Sequence, residues 1–245
     1  MHLRDIFDRQ EFPWTARPEH VRARVDLLRR SLPEHDRPLR LLDLGCGAGE
    51  NTLLVTEALG CCRAVGVDWA PRPLAVAHTQ GLPVIQAVLD GADLPFPEAS
   101  FDVVVLSEVI EHLVDPDHTV DEARRVLRPG GTFLVTTPNL AAWFNRLLLA
   151  AGVQPVFSEV SSRKVYGRPG TEVVGHLRLF TRRALVELLH DAGFVDVRLA
   201  GVSFHGVPAP LRPLDRVMAR WPEVAATLLA AAVKPRPARL RVVSP

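Results

Sequence analysis

The sequence predicts an α/β fold built on one doubly wound, mainly parallel β-sheet with helices on both faces. From residue 39 onward, short apolar runs alternate with helical patterns, which is typical of parallel sheets. The 245 residues are 47% hydrophobic and 23% charged, enough apolar material for one substantial core. The string LLDLGCGAGE places a strand, a glycine-rich turn and a helix start in succession. One main domain with small additions is therefore expected.

Seven segments have the composition of β-strands. In chain order they are LRLLDLG, AVGVDW, LPVIQAV, FDVVVLS, GTFLVTTP, FVDVRLAGV and ATLLAAAVK. Helical patterns separate the first three strands from one another and the fourth from the fifth. A seven-stranded, Rossmann-like sheet follows from this order.

An amphipathic helix is predicted ahead of the sheet, over residues 18–32, because apolar residues recur there at helical spacing. Its apolar face carries Val21, Val25, Leu28 and Leu32, and its other faces carry Arg22, Arg24, Arg29 and Arg30. Two later helices are predicted over residues 139–152, with Asn139 as the N-cap, and over residues 181–193, between Thr181 and Gly193.

The expected domain organisation has three parts. Residues 1–34 form an N-terminal cap region, residues 35–234 the main domain, and residues 235–245 a flexible tail. Within the main domain, irregular segments near 140–175 and 202–224 are expected to face the substrate.

Composition narrows the classes of function. The net charge of +1 argues against broad nucleic-acid binding. No Lys or Arg lies between Pro73 and Ala123, where ten carboxylates do, and such a segment suits a cation or a hydroxylated substrate better than a phosphate backbone. A small-molecule or glycan substrate is therefore expected as the binding partner.

The N-terminus and the cysteines bear on the cellular compartment. MHLRDIFDRQEF has no apolar leader segment, and no run approaches the length of a membrane span. Three cysteines, with Cys61 and Cys62 adjacent, argue against a disulfide scaffold. A cytoplasmic protein is predicted, with a peripheral membrane contact left open.

Glycines and acids recur where the first two strands end. Gly45, Gly47 and Gly49 let the backbone approach a ligand closely. Asp68 follows about twenty residues later, at the end of the second strand, where a carboxylate can accept ribose hydroxyls. Nicotinamide-dependent dehydrogenases share these two features, so the choice between ligands depends on the next segment.

The segment LDGADLPFPEASFDVVV resembles class I S-adenosylmethionine (SAM)-dependent methyltransferases, as do LLDLGCGAGE, GVD and VLRPGGTFLVTTPN in the same order. The resemblance covers roughly residues 35–140 and implies SAM as cofactor. It implies Asp43 and Gly45 at the methionine end, Asp68 at the ribose, and Asp90 with Gly91 at the adenine; Gly47, Gly49, Trp69 and Ser107 complete the expected cofactor site. The alternatives are a turn-capping role for Asp43 and Asp90 and a core position for Trp69.

A possible metal site follows the fourth strand, in SEVIEHL. If a helix begins there, Glu108, Glu111 and His112 share one face, and His176 follows in GHLRLFT. The group is similar to the Glu-x-x-Glu-His group of ubiquinone-biosynthesis O-methyltransferases, and small-RNA 2′-O-methyltransferases add a later histidine. The resemblance implies that these four residues bind a divalent cation, Mg²⁺ or Mn²⁺. Without a metal, His112 or His176 is the candidate catalytic base.

These observations predict O-methylation of a hydroxyl on a small metabolite, a sugar or glycan, or a catechol-like substrate. Alternatives are metal-independent N- or C-methylation, RNA 2′-O-methylation, and SAM binding without catalysis. RNA is disfavoured because no basic stripe with interleaved aromatics is present. Candidates for an apolar or sugar-stacking pocket, or for plain core, are Trp143, Phe144, Phe157 and Tyr166. Arg212, Arg216 and Arg220 fit a solvated helix face best, with an anionic-substrate contact or a membrane-surface patch as alternatives.

Overall fold

A computed structural model describes residues 17–237 of the chain except residues 33, 36, 61, 62 and 172. The expectations for residues 1–16, for Cys61 and Cys62 and for most of the C-terminal tail therefore lie outside the described residues. Within the described part, no helix is both long enough and apolar enough to cross a membrane.

Seven strands form a single sheet in the order β3-β2-β1-β4-β5-β7-β6. They are β1 (Arg40–Leu44), β2 (Arg63–Asp68), β3 (Val84–Gln86), β4 (Phe101–Ser107), β5 (Leu127–Pro138), β6 (Val195–Val202) and β7 (Thr227–Val233). The first five strands pair in parallel, and β7 runs antiparallel to both β5 and β6. This confirms the predicted doubly wound, mainly parallel, Rossmann-like sheet.

Seven α-helices accompany the sheet in the described residues. They are α1 (Pro18–Ser31), α2 (Glu50–Leu59), α3 (Pro71–Thr79), α4 (Pro116–Val126), α5 (Trp143–Ala150), α6 (Arg182–Asp191) and α7 (Arg212–Met218). Short 3₁₀ turns occur at Ile110–His112 and Ala209–Leu211. The Thr181 hydroxyl accepts from the Ala184 amide, so the predicted cap of α6 is present.

The sheet buries two apolar layers because alternate side chains of a strand point to opposite faces. Leu41 of β1 packs in a cluster with Val25 and Leu28 of α1. Leu42, the next residue, packs in the other cluster, which includes Leu185 of α6. Helices therefore cover both faces, as predicted.

Two helix predictions are wrong in their boundaries. Residues 107–113 do not form a helix, because Glu108 adopts a left-handed conformation (φ 54°) and only Ile110–His112 make a 3₁₀ turn. The helix expected from Asn139 begins at Trp143 instead. Asn139 is fully buried, and its side chain donates to the carbonyls of Pro222 and Ala225, so it joins the loop before β7 rather than capping a helix.

The carboxyl ends of β1, β2 and β4 meet at one edge of the sheet. Strand order reverses at β1, since β2 lies on one side of it and β4 on the other. A crevice at such a reversal is the usual ligand site of open α/β sheets. Asp43, Asp68 and Ser107 all lie within the last two residues of these strands, so the fold brings the predicted cofactor residues to this edge.

Candidate active site

Glycine is needed for a different structural reason at each of the three glycine positions in the turn after β1. All three have positive φ, a conformation that glycine adopts without strain. A Cβ on Gly45 would lie 2.3 Å from Val109 Cγ2, and one on Gly49 would lie 2.9 Å from Leu82 Cδ2, so both positions are closed by packing. A Cβ on Gly47 would meet nothing within 4 Å. Of the three, only Gly47 therefore offers an open backbone surface to a ligand. The sequence predicted this role for all three glycines.

Asp68 connects the glycine turn to the end of β2. Its Oδ2 accepts from the Gly47 amide at 2.9 Å, and its Oδ1 accepts from the Ala70 amide at 2.9 Å. Burial raises the pKa of Asp68, and the backbone amides oppose this shift. The carboxylate thus lies directly beside the open glycine, at the position where the resemblance places the cofactor ribose.

Asp43 is a buried acid at the end of β1. Its Oδ2 accepts from the Thr52 hydroxyl, whereas its Oδ1 is buried with no hydrogen-bonding partner among the described residues. Burial raises its pKa to about 6, although the Thr52 hydrogen bond opposes the shift. A buried carboxylate oxygen without a donor costs free energy unless a ligand supplies one.

Arg24 of α1 was missed by the sequence reasoning, which placed it away from the apolar face. It is only 5% exposed, and its guanidinium donates to Asn51 Oδ1 at 3.2 Å. Arg24, Asp43 and Ser107 line one small cavity, and the Arg24 Nε and Ser107 Oγ atoms are, like Asp43 Oδ1, buried without a partner in the described part of the chain. A cation and an anion at one cavity match the two charges of an amino-acid group. The periodicity of α1 contained no signal for this, because it reports apolar residues only.

Asp90 and Gly91 form the third part of the predicted cofactor site, where the resemblance places the adenine. Its carboxylate accepts from the amides of Val114 at 3.0 Å and Asp115 at 2.8 Å, which fixes the loop before α4. Gly91 has φ 70° with open space where a Cβ would be. Trp69 is half-buried, and its carbonyl accepts from Gln86 Nε2 at 3.0 Å. These contacts give Asp90 a structural role in holding the distant loop before α4, and they leave the Gly91 backbone open.

Glu108 does not join the other predicted metal ligands. It is solvent-exposed, and its Oε1 accepts from the Thr136 hydroxyl at 2.7 Å. Its positive φ is unusual for a residue with a side chain and is of a kind that clusters at functional sites. The left-handed turn directs the chain away from a helix, so Glu108 and Glu111 are not stacked on one helical face.

Glu111, His112 and His176 do come together. One ligand atom from each lies within 4.8 Å of the others, and among the described residues this is the group with the donor set of a metal site. The Nε2 atoms of His112 and His176 are both 4.0 Å from Glu111 Oε1. That oxygen is buried and has no hydrogen bond from any described residue, while Oε2 accepts from the Thr137 hydroxyl at 3.1 Å.

Both imidazoles are oriented by main-chain carbonyls. His112 Nδ1 lies 3.0 Å from the Gly175 carbonyl, and His176 Nδ1 lies 2.9 Å from the Phe157 carbonyl. Because a carbonyl can only accept, Nδ1 carries the proton in each ring and Nε2 retains its lone pair. This orientation through the second nitrogen is typical of histidines that ligate metals.

The charges of this group favour a cation. Burial raises the pKa of Glu111 well above its usual range, and nearby Glu108 adds to the effect. Burial lowers the pKa of His112 to about 4, and the neighbouring His176 contributes. Burial also lowers the pKa of His176. Two neutral imidazoles and a carboxyl short of positive partners form a donor set that suits a divalent transition metal.

The loop that carries His176 is held by a buried ion pair. Glu159 accepts from the amides of Val174 at 2.7 Å and Gly175 at 2.8 Å, and its Oε1 lies 3.3 Å from Arg168. Both side chains of the ion pair are only 6% exposed. Glu159 therefore fixes the backbone on which His176 is placed and whose Gly175 carbonyl orients His112.

An aromatic layer adjoins His176. The Phe157 ring lies 6.5 Å from the His176 ring and 5.2 Å from Phe204, and Phe144 lies 5.9 Å from Phe157. Trp143 contacts Phe144 at 5.5 Å, so three of the four predicted aromatic residues belong to this layer. The fourth, Tyr166, is 55% exposed and lies under the Lys164 ammonium. Phe204 was missed, because it comes from the loop after β6.

Comparisons with known proteins show which family the chain resembles. Residues 14–199 match the family described as "Methyltransferase domain". A probable S-adenosylmethionine-dependent methyltransferase of Mycolicibacterium smegmatis is 36% identical over 71% of this chain and 58% of its own length. A probable phthiotriol/phenolphthiotriol dimycocerosates methyltransferase of Mycobacterium ulcerans is 30% identical over 71% of this chain and 72% of its own length. The chain thus spans little more than half of the first relative.

Solved structures show the same fold. The phosphoethanolamine N-methyltransferase 2 of Haemonchus contortus, in complex with SAM, aligns with a TM-score of 0.64. The alignment covers 96% of this chain and 60% of that one at 17% identity. At this level of identity the likeness extends to the fold alone.

Proposed function

This chain belongs to the family of SAM-dependent methyltransferases, and on that premise we propose that it methylates a hydroxyl oxygen, with Glu111, His112 and His176 holding a divalent cation beside the acceptor. The observation that carries the proposal is that two imidazole Nε2 atoms lie 4.0 Å from one buried Glu111 oxygen, which has no hydrogen bond from any described residue. Family membership removes the dehydrogenase alternative.

The residues at the sheet edge fit SAM. The cofactor supplies a methyl group on a positively charged sulfur. Asp43 and Arg24 carry opposite charges at one cavity, so they suit the ammonium and the carboxylate of its methionine end. Asp68 offers carboxylate oxygens for the ribose hydroxyls, next to the open backbone of Gly47. Each residue would bind a different part of the cofactor and fix its orientation.

Methyl transfer to a hydroxyl requires the loss of a proton. The new bond joins the hydroxyl oxygen to the methyl carbon, the carbon–sulfur bond breaks with its electron pair going to the sulfur, and the hydroxyl proton is released to water. A cation bound at Glu111, His112 and His176 would lower the pKa of the hydroxyl and fix its position. His112, with a pKa of about 4, is a weak base, which favours the ligand role over direct proton removal.

The acceptor class follows from the surroundings of the three residues. The aromatic layer of Phe144, Phe157 and Phe204 begins next to His176 and suits a ring or an apolar body. We propose a small metabolite, a sugar or glycan, or a catechol-like molecule, with two neighbouring oxygens favoured because a cation can bind both. Metal-independent N- or C-methylation is the competing outcome of the experiment below.

The first experiment is a calorimetric titration of Mn²⁺ into chelator-treated protein with S-adenosylhomocysteine (SAH) present. We expect one-site binding that is lost in His176→Ala and kept in His190→Ala, a matched change of an exposed histidine on α6. A wild-type protein that binds SAH but no Mn²⁺ would remove the cation from the proposal. Mass spectrometry of products from catechol and diol acceptors, with a labelled methyl donor, then separates O- from N- or C-methylation.

A further inference from the structure

The segment from Ala209 to Trp221, which includes α7, is held to the protein by one buried side chain. Asp215 is 1% exposed, and its two oxygens accept from the Trp143 indole at 2.9 Å and the Phe204 amide at 2.7 Å. Every other residue of the segment is exposed or half-buried. The helix is therefore attached along one side, and the rest of its circumference faces outward.

A row of large apolar side chains occupies part of the outward surface. Its members and their exposed fractions are Leu211 at 43%, Leu214 at 39%, Val217 at 40% and Trp221 at 52%. Leu214 and Val217 lie three residues apart on α7, Leu211 ends the 3₁₀ turn directly before the helix, and Trp221 lies three residues beyond its end. A helix face in contact with water normally carries polar residues, so a continuous apolar row indicates a surface that is covered in use.

A row of arginines runs beside the apolar row. Arg212 and Arg216 are exposed and lie four residues apart on α7, and Arg220, also exposed, lies in the turn that follows the helix. The one acid of the segment, Asp215, is buried. Glu223, the next acid along the chain, lies 3.2 Å from Arg182. The arginine row therefore presents positive charge without an exposed carboxylate on its own helix.

We propose that this surface, formed by the apolar and arginine rows of residues 211–221, docks the protein on an anionic lipid bilayer. An apolar row suits the boundary of the acyl chains, and arginines alongside it suit lipid phosphates. Charge complementarity favours lipid over a second copy of the chain, because a symmetric dimer through this face would bring two arginine rows together. The sequence favoured a solvated helix face for these arginines. That interpretation does not explain the exposed apolar row.

The surface also lies next to the site. Asp215 joins α7 to Trp143 and Phe204, and the Phe204 ring contacts Phe157 edge-to-face in the aromatic layer that ends at His176. Resting on the proposed function, this connection implies an acceptor with an apolar or lipid-linked body that enters from the bilayer.

Co-sedimentation of the full chain with vesicles tests the docking surface. We expect binding to phosphatidylcholine vesicles that contain phosphatidylglycerol, little binding to pure phosphatidylcholine, and weaker binding at high salt. Each of Arg216→Gln and Arg220→Gln should lower the partition constant by about fivefold, since a basic residue near such a surface contributes about 1 kcal/mol. Trp221→Ser should lower it further. Arg183→Gln and Val76→Ser, exposed residues on α6 and α3, are the matched controls.

Three outcomes would overturn the proposal. The first is no binding to anionic vesicles at low salt. The second is binding that the patch variants leave unchanged. The third is a dimer in sedimentation velocity that Trp221→Ser dissociates while vesicles bind nothing, which assigns the face to a second copy. SAH affinity, measured in parallel, should be equal in all variants. Loss of the docking proposal would therefore leave cofactor binding unchanged, and it is a separate result from a failed Mn²⁺ titration, which would count against the proposed function.

Discussion

The imidazole rings of His112 and His176 lie with their centroids 4.9 Å apart, and each is oriented by the segment that precedes the second histidine. His112 donates to the Gly175 carbonyl, and His176 donates to the Phe157 carbonyl. The Leu177 amide returns a hydrogen bond to the Glu111 carbonyl at 2.7 Å. The loop after α5 and the 3₁₀ turn after β4 therefore depend on each other, and the three-residue group exists only when the loop is packed.

Glu159→Gln should loosen this group while leaving the cofactor site intact. The Val174 and Gly175 amides bond to different oxygens of Glu159, so glutamine keeps an acceptor for only one of them and also loses the charge that faces Arg168. Residues that orient metal ligands typically contribute tenfold or more to affinity, so we expect Mn²⁺ to bind about tenfold more weakly with unchanged SAH affinity.

Amide hydrogen exchange should also become faster at residues 173–176 in this variant. The matched control is Glu187→Gln, which removes an exposed partner of Arg183. A lower melting temperature with unaltered Mn²⁺ affinity and exchange would assign Glu159 a purely structural role.

Gly47→Ala should weaken SAH binding by at least about tenfold. The added methyl group occupies the open backbone surface beside Asp68 and also strains a residue with φ 53°. Gly60→Ala is the control, because Gly60 has φ 82° and open space around it but ends α2 away from the strand ends. Both variants should lose about 1 kcal/mol of folding stability. Calorimetry with SAH distinguishes them, and equal affinities would place the cofactor elsewhere.

Arg24→Gln should reduce SAH affinity, because it removes the buried positive charge expected at the ligand carboxylate. A charge-assisted hydrogen bond of this kind contributes about 1.5–3 kcal/mol, so the loss should be between tenfold and a hundredfold. Arg22→Gln changes an exposed arginine on the same helix and should have no effect. An SAH analogue without the amino group tests whether Arg24 acts on the ligand carboxylate, because Arg24→Gln should still weaken the binding of that analogue.

SAH affinity should rise between pH 5 and pH 7 through the ionisation of Asp43. The pKa of Asp43 is about 6, so the carboxyl is mostly neutral at pH 5 and mostly charged at pH 7. Only the charged form pairs with the ligand ammonium, and binding at pH 5 should therefore be about tenfold weaker. Asp43→Asn should bind weakly and show no such rise. The same pH dependence in that variant would assign the titration to another group.

Much of the fold could be predicted from the sequence because its signals are local. The apolar runs of β1 and β4 are buried on both faces, which parallel strands require, and Thr181 caps α6 through a residue three positions away. The acids at the strand ends could be predicted for the same reason, because the local apolar run shows where a strand ends and therefore where its last side chain lies.

The errors arose where the partner of a residue is distant in the chain. Glu108 adopts a left-handed instead of a helical conformation, and its amide and carboxylate both hydrogen-bond to the Thr136 hydroxyl of β5. Asn139 was predicted to cap a helix, but it satisfies carbonyls before β7 instead. In both places a tertiary hydrogen bond outweighed a local propensity.

The sequence by itself determined the sheet, the glycine turn and the acids at its edge, since each depends on neighbours within a few residues. Only the tertiary structure decided that Arg24 is buried beside Asp43, that Phe204 completes the aromatic layer, and that Glu108 stands apart from the other candidate ligands. It also decided that His176 meets Glu111. These contacts join segments that only the folded sheet and the packed loop bring together, and periodicity along the chain carries no information about them.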